Sequence, residues 1–245
     1  MKTPRILATS GGFVAGPTQQ NARLSTMVLD ALSSVEKVRP RVCIVNTAGG
    51  DDNQFYAVSY EAFNVAGCDV TELKLFYQPS ADPEERLCGS DFVWVAGGSV
   101  ANLLALWRLH GVDLAMRAAW EQGVILAGCS AGSLCWHIGG TTDSFGPILQ
   151  PVTNALAFLP YANGVHYDVE EQRRPLTHQL MREKVLPPLA YATDNFVGIW
   201  YEGTQPTSVV ADMAIDPDAG PAAYRVELID GEIVETRVGV GRNFS

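Results

Sequence analysis

Short apolar runs rich in β-branched residues recur along most of the chain. Most are followed by a segment whose apolar positions repeat with the period of a helix. This alternation is typical of βαβ units, and the almost continuous apolarity of the runs predicts a mostly parallel sheet with helices on both faces. The predicted strands are 5–10, 42–47, 70–76, 92–96, 124–127 and 196–200. The predicted helices are 18–35, 53–66, 99–110, 112–122 and 131–138.

The pattern changes after residue 139, where glycine, proline and polar residues interrupt the apolar periodicity. We expect a long loop region there, followed by a helix at 174–186 that ends at Pro187-Pro188. Two strand-like segments at 224–229 and 232–238 flank Asp230-Gly231, a dipeptide typical of a hairpin turn. No repeat or low-complexity linker divides the chain, so residues 1–245 are expected to form one α/β domain.

Composition narrows the class of protein. The 245 residues are 47% hydrophobic and 18% charged, which is enough apolar material for a sizeable core. The formal net charge of −10 disfavours nucleic acid and anionic membrane surfaces as partners. No apolar run predicts a signal peptide or a membrane span, and five scattered cysteines fit buried free thiols in a reducing compartment. We expect a cytoplasmic protein that is a monomer or a homodimer.

The stretch Gly128-Cys129-Ser130-Ala131-Gly132 lies between a buried run and a helical segment. Gly-x-Ser-x-Gly in that position is typical of a nucleophile elbow, a strained turn that lifts the serine hydroxyl clear of the sheet. The flanking glycines remove Cβ atoms that would collide with the crossing strand and helix. Ser130 is therefore the predicted nucleophile, with Cys129 as a rival that does not hold the central position. The competing interpretation is a glycine-rich turn in which Ser130 only caps the helix.

A serine nucleophile requires a base, and the chain has four histidines. His110, His137 and His178 lie in helical segments, where surface or packing roles are expected. His166 lies in a loop-like stretch, from which its side chain can point back at the sheet edge, and it is the predicted general base. The chain order argues against a lipase-like α/β-hydrolase, because no histidine follows His178.

Four motifs occur in order: Gly-Cys-Ser-Ala-Gly-Ser at 128–133, Thr-Asp-Ser-Phe-Gly at 142–146, His-Tyr-Asp at 166–168 and Gln-Arg-Arg-Pro at 172–175. Together they resemble the peptidase E (aspartyl dipeptidase) family of serine peptidases, which includes cyanophycinases. The resemblance covers most of the chain. It implies a three-layer fold of the class I glutamine amidotransferase-like or flavodoxin-like type. It also implies a serine exopeptidase for dipeptides or short peptides, with a preference for N-terminal Asp as one possibility.

The resemblance extends to Gly97-Gly98, which is similar to the strand-ending Gly-Gly turn of the family. By that analogy Gly98, with Gly97 as the alternative, donates one oxyanion-hole N–H, and Ala131 donates the other. The family often continues with Asn-Thr, where this chain has Ser99-Val100. The details of substrate binding are therefore expected to differ.

A carboxylate is expected to complete the triad with Ser130 and His166. Glu202 is preferred, because its Glu-Gly follows a predicted late strand and resembles the Glu-Gly of the family. Asp143, in the loop after the elbow helix, and Asp168, beside His166, are the alternatives.

Arg173 and Arg174 follow the predicted base and precede a helix. The resemblance implies an arginine in this region that binds an aspartyl side chain, and either residue is a candidate. The alternative is a solvated helix start with surface ion pairs to Glu170 or Glu171.

Metal and nucleotide sites are not indicated. His166 and Asp168 have no third ligand at a suitable spacing, and the glycines at 11–12 lack the dinucleotide-binding fingerprint. We therefore expect a small peptide as substrate and no cofactor. Two alternatives stay open: an isopeptide or amide hydrolase like the cyanophycinases, and a catalytically silent binding protein that keeps the elbow for folding.

Overall fold

The structure is a computed structural model that describes residues 3–16 and 22–244. The strands are β1 (Arg5–Thr9), β2 (Phe13–Ala15), β3 (Ala22–Leu24), β4 (Arg41–Val45), β5 (Asp69–Glu72), β6 (Phe92–Val95), β7 (Ile125–Cys129), β8 (Gly139–Thr142), β9 (Gln150–Val152), β10 (Ala162–Val165), β11 (Leu189–Thr193), β12 (Val197–Glu202), β13 (Gln205–Ala211), β14 (Ala222–Ile229) and β15 (Glu232–Gly239). The helices are α1 (Thr26–Ser33), α2 (Asn53–Val65), α3 (Pro83–Cys88), α4 (Val100–His110), α5 (Val112–Glu121), α6 (Ala131–Leu134) and α7 (Arg173–Arg182).

A seven-stranded sheet has the order β13-β12-β1-β7-β6-β4-β5. Strands β1, β7, β6, β4 and β5 are parallel, whereas β12 and β13 add to the β1 side in antiparallel pairing. The predicted mostly parallel sheet is confirmed. Because β1, β7 and β6 are neighbours and run in the same direction, the loops that follow them meet at one edge of the sheet.

Alternate residues of the parallel strands face two different helical layers, as the pleat of a strand requires. Leu7 and Ile44 belong to the core cluster that contains the buried faces of α1 and α2. Ile6 and Val45 belong to the cluster that contains the buried faces of α4 and α5. Burial on both faces explains why the strands read as almost continuous apolar runs, and it produces the predicted three layers.

A second sheet, six-stranded with the order β15-β14-β11-β10-β8-β9, is built from the region after residue 139. Strand β11 follows the predicted helix and has no predicted counterpart, and the loop predicted before that helix is wrong for β8, β9 and β10. Their sequences, such as Gly-Gly-Thr-Thr in β8, have no apolar alternation from which a strand is recognised. The predicted terminal hairpin is confirmed, since β14 pairs with β15 and Asp230 and Gly231 have φ angles of 51° and 88°, as a two-residue turn requires.

Several predicted boundaries also differ. The helix predicted at 18–35 is confined to α1 within the described residues, which place β3 at 22–24, and residues 18–21 lie outside them. The helix predicted at 131–138 ends at Leu134, and the strand predicted at 70–76 ends at Glu72. Each helix of the described residues falls short of the length and apolar character that a membrane crossing needs.

Candidate active site

Ser130 lies in a strained turn between β7 and α6. Its φ and ψ angles are 56° and −111°, a region that a residue with a side chain rarely adopts. The turn is held in place because the Ser130 N–H donates to the carbonyl oxygen of Thr9 at the end of β1, at 3.0 Å. The geometry is that of a nucleophile elbow, with a partly exposed serine at the edge where the parallel strands end.

The two glycines of the motif are required by packing. A Cβ atom on Gly128 would collide with the carbonyl oxygen of Gly132, and one on Gly132 would collide with the carbonyl oxygen of Val95 on β6. The backbone atoms that block the space cannot yield as a flexible side chain can. The sequence pattern Gly-x-Ser-x-Gly therefore follows from the close approach of β7, α6 and β6.

The Gly97-Gly98 turn lies against the nucleophile. A Cβ atom on Gly97 would be 3.2 Å from the Cβ of Ser130. Gly98 has a φ of 132°, and a Cβ there would collide with the carbonyl oxygen of Ala48, which also accepts the N–H of Ser99 at 2.9 Å. Loops after β4 and β6 thus pack together beside Ser130.

The predicted oxyanion-hole residues lie on two sides of Ser130. Ala131 begins α6, so its N–H has no partner within the helix. Gly98 follows the glycine that contacts the Ser130 side chain. Their role as donors stays a prediction.

His166 is brought to the same edge by the second sheet. It follows β10 with a φ of 52°, and its N–H donates to Ser10 Oγ at 3.0 Å. Ser10 Oγ also lies 2.7 Å from Thr193 Oγ1. Since the N–H of Ser130 binds Thr9 and the N–H of His166 binds Ser10, two consecutive residues hold the predicted nucleophile and the predicted base at the same end of β1.

No direct bond joins these two side chains. Within the described residues, the Ser130 hydroxyl forms no hydrogen bond with the His166 ring. Such bonds are often long before a substrate binds and tighten in the complex.

An asparagine occupies the position in which a carboxylate was expected. The His166 ring nitrogen Nδ1 lies 2.5 Å from Asn195 Oδ1. The Asn195 N–H in turn donates to Asp168 Oδ1 at 2.9 Å. Asp168, an alternative carboxylate for the triad, thus contacts the residue that supports the histidine, and Asn195 itself was missed. Recognising β11 would have revealed it, because β10 and β11 are parallel neighbours whose ends lie together.

The structure does not bring Glu202 to His166. Strand β12 is antiparallel to β1, with Glu202 opposite Arg5 and Gly198 opposite Thr9. Glu202 therefore lies at the opposite edge of the sheet from Ser130, about 13 Å further along the strand at the usual rise per residue. The expectation that it completes the triad is corrected on this ground.

Asp143 is also not a partner of His166 in the described residues. It is exposed, in the turn after β8, where its carbonyl oxygen accepts the N–H of Gly146 at 3.0 Å. The neighbouring Ser144 Oγ accepts the N–H of Ala101 in α4 at 3.4 Å, so this turn closes over the start of α4. Asp143 thus lies on the rim near the Gly97-Gly98 turn.

Cys129, the rival nucleophile, and the histidines His137 and His178 lie in surroundings that suit a structural role. Burial raises the pKa of Cys129 to about 12, so its thiol stays protonated at neutral pH. Burial lowers the pKa of His137 to about 4, and its Nδ1 lies 2.9 Å from the Ser133 carbonyl oxygen. His178 pairs with Glu235 at 2.8 Å.

The two arginines differ in their partners. Arg174 lies 3.4 Å from a Glu235 oxygen, and its guanidinium stacks on the rings of Tyr167 and Tyr224. Arg173 is buried and donates to the carbonyl oxygen of Thr141, and its Nε has no partner in the described residues. Burial lowers the pKa of Arg173, and the negative charges of Glu170 and Asp143 only partly oppose that effect.

Comparison with known proteins assigns the class. Peptidase family S51 matches residues 6–209 of the chain. The chain belongs to peptidase family S51, and it is a peptidase. The resemblance to the peptidase E family read from the motifs is thereby confirmed. Among the described residues, no group of three or more histidine, cysteine or acidic side chains is placed to share a metal ion.

Individual relatives agree with this assignment. "Uncharacterized peptidase YgaJ" of Bacillus subtilis (strain 168) is 36% identical over 230 residues, which are 94% of each chain. "Peptidase E" of Shewanella denitrificans (strain OS217) is 33% identical over 131 residues, 51% of this chain and 56% of that protein. The crystal structure of a peptidase from an acI-B1 Actinobacterium has a TM-score of 0.71 at 14% identity, covering 99% of this chain and 97% of the other. The last likeness shows the shared fold.

Proposed function

We propose that this chain is a metal-independent serine peptidase that cleaves dipeptides or short peptides in the cytoplasm. The observation that carries the proposal is the strained Ser130 at the elbow, with His166 held beside it through the end of β1. Backbone strain on a residue with a side chain is kept at functional sites, where the surrounding structure enforces it. A serine that only capped α6 would not require this conformation.

The chemistry assigned to these residues is acyl transfer. Ser130 Oγ attacks the carbonyl carbon of the peptide bond, and its proton passes to His166. The N–H groups of Gly98 and Ala131 stabilise the negative oxygen of the tetrahedral intermediate. The C–N bond then breaks, His166 protonates the leaving amine, and water activated by His166 hydrolyses the acyl-enzyme.

Labelling with a fluorophosphonate probe tests the proposal. Wild-type protein and Cys129→Ala should react, whereas Ser130→Ala should not, because only an activated serine attacks the phosphorus. Cleavage of a dipeptide library should survive EDTA. Absence of labelling would favour a silent binding protein, and labelling with cleavage confined to isopeptides would favour a cyanophycinase-like hydrolase.

The preference for an acidic substrate rests on Arg173 in this proposal. Arg174 already has Glu235 and two aromatic rings, whereas Arg173 is buried, feels the charges of Glu170 and Asp143, and forms no salt bridge among the described residues. A buried charge is stabilised when a counter-charge pairs with it. The carboxylate of an N-terminal Asp would supply that counter-charge, next to the turn that carries Asp143.

Replacing Arg173 by methionine should lower kcat/KM for Asp-Leu by about 30-fold or more, because the substrate carboxylate would lose a buried partner. Hydrolysis of Ala-Leu by the same variant should change little, which controls for damage to the fold. Arg174→Met is the matched variant, and its effect should be equal for both peptides. An equal loss for Asp-Leu and Ala-Leu in Arg173→Met would remove the support for an acidic preference.

A further inference from the structure

We propose that Asn195 is the third member of the triad, a neutral amide that positions His166 where a serine peptidase ordinarily uses a carboxylate. The inference deepens the proposed function and rests on it. It makes Asn195 a positioning residue, since its side chain contacts the histidine and acts through it.

The contact fixes which nitrogen of His166 acts as the base. Asn195 Oδ1 is an acceptor, so the ring must carry its proton on Nδ1 to bind it across 2.5 Å. The other ring nitrogen, Nε2, is then unprotonated and available to take the proton of Ser130. An amide oxygen selects this tautomer as well as a carboxylate does.

The backbone of Asn195 is anchored from both sides, so the origin of its side chain is held in a fixed position. Its own N–H donates to Asp168 at 2.9 Å. The preceding residue, Asp194, accepts the N–H of Ala222 at 2.9 Å. The following residue, Phe196, donates its N–H to the carbonyl oxygen of Ser10 at 3.1 Å, and Ser10 Oγ accepts the N–H of His166. His166 and the segment that carries Asn195 are thus both bonded to Ser10.

The difference from a carboxylate triad is one of charge. A carboxylate at this position stabilises the imidazolium that forms during catalysis, whereas an amide orients the ring without that charge. Asp168 lies behind Asn195, bonded to its backbone, and burial raises the pKa of Asp194, which favours its neutral form. Among the described residues, the ionisable groups at this support include Asp168 and Asp194, with Tyr224 donating to Asp194 and the charge of Arg174 acting on it, and Asp212 accepts the N–H of Gly12.

The test is the pH dependence of Asn195→Asp, a substitution of almost equal size. The new carboxylate favours the protonated ring, so the acid limb of the kcat/KM profile should move to higher pH by about one unit or more. Asn195→Ala should lower kcat by about tenfold to a hundredfold with little change in KM, since orientation of the base is lost. Asn154→Asp, which adds the same charge at an exposed site, should leave the limb in place.

A second measurement separates this inference from the proposed function. The titration of the His166 ring can be followed by NMR in Ser130→Ala protein, where no hydrolysis is needed. Its midpoint should rise when Asn195→Asp is added. An unmoved midpoint, or full activity in Asn195→Ala, would overturn the role of Asn195 even if fluorophosphonate labelling supports the serine mechanism. A moved midpoint without any labelling would instead contradict the proposed function alone.

The support from Asp168 is tested in the same assay. Asp168→Ala removes the acceptor of the Asn195 N–H and should lower kcat several-fold. Asp168→Asn keeps an oxygen acceptor there and should restore most of the rate. Equal losses in both variants would contradict the anchoring described here.

Discussion

Replacing Ser130 by alanine is expected to lower kcat for peptide hydrolysis by at least about a thousandfold, as removal of a nucleophile does in other serine peptidases. The substitution removes one oxygen atom from a partly exposed side chain and leaves the backbone bond to Thr9 intact. The melting temperature should therefore change by about 2 °C or less. Steady-state kinetics on a cleaved dipeptide and a thermal melt measure the two quantities.

Cys129→Ala is the matched control, one residue away. Its thiol has a pKa raised to about 12 by burial, so little thiolate exists to attack a substrate. Activity should be retained in this variant. A protein that keeps its rate in Ser130→Ala and loses it in Cys129→Ala would be a cysteine hydrolase, and the assignment of Ser130 would be wrong.

The part of the fold that the sequence predicts well is the part with a strong local signal. Strands such as β4 and β6 are buried on both faces, so all their residues except the exposed Arg41 are apolar, and the run is recognisable without any partner. The elbow is also recognisable, because Gly128 and Gly132 face backbone atoms and no other residue fits. In both cases the physical constraint acts on the residue types themselves.

The second sheet carries no such signal. Positions 139 and 140 of β8 require glycine, because a Cβ at either would collide with a carbonyl oxygen of an adjacent strand, at Val152 and Asn163 respectively. Glycine is depleted in strands in general, so the sequence suggests a loop. The requirement becomes visible only when the neighbouring strands are in place.

The direction of a strand explains the error at Glu202. In a parallel sheet the carboxyl ends of the strands mark the ligand-binding edge, and a polar residue after a late strand is then a natural candidate. Strand β12 runs against β1, so its end lies at the far edge. Sequence periodicity is the same for either direction. Asn195, by contrast, follows a strand that is parallel to β10, and it reaches His166 for that reason.

Replacing His166 by alanine is expected to reduce kcat by at least about a thousandfold, because Ser130 would lose the base that accepts its proton. The pH dependence should change as well. In the wild type the rate should rise with pH as the ring becomes neutral, whereas the residual rate of His166→Ala should be almost independent of pH between about 5 and 8. His178→Ala is the matched control, because His178 pairs with Glu235. This variant should keep the rise of the rate with pH.

The double variant Ser130→Ala, His166→Ala provides the sharper test of a shared role. When two residues act in the same catalytic step, removing the second costs little further rate once the first is absent. The double variant should therefore be no more than a few-fold slower than either single variant. Independent contributions would instead multiply, and a thousandfold loss for each would give about a millionfold loss together. A multiplied loss would show that His166 acts on the substrate separately from Ser130, in spite of the joint attachment of both residues to Thr9 and Ser10.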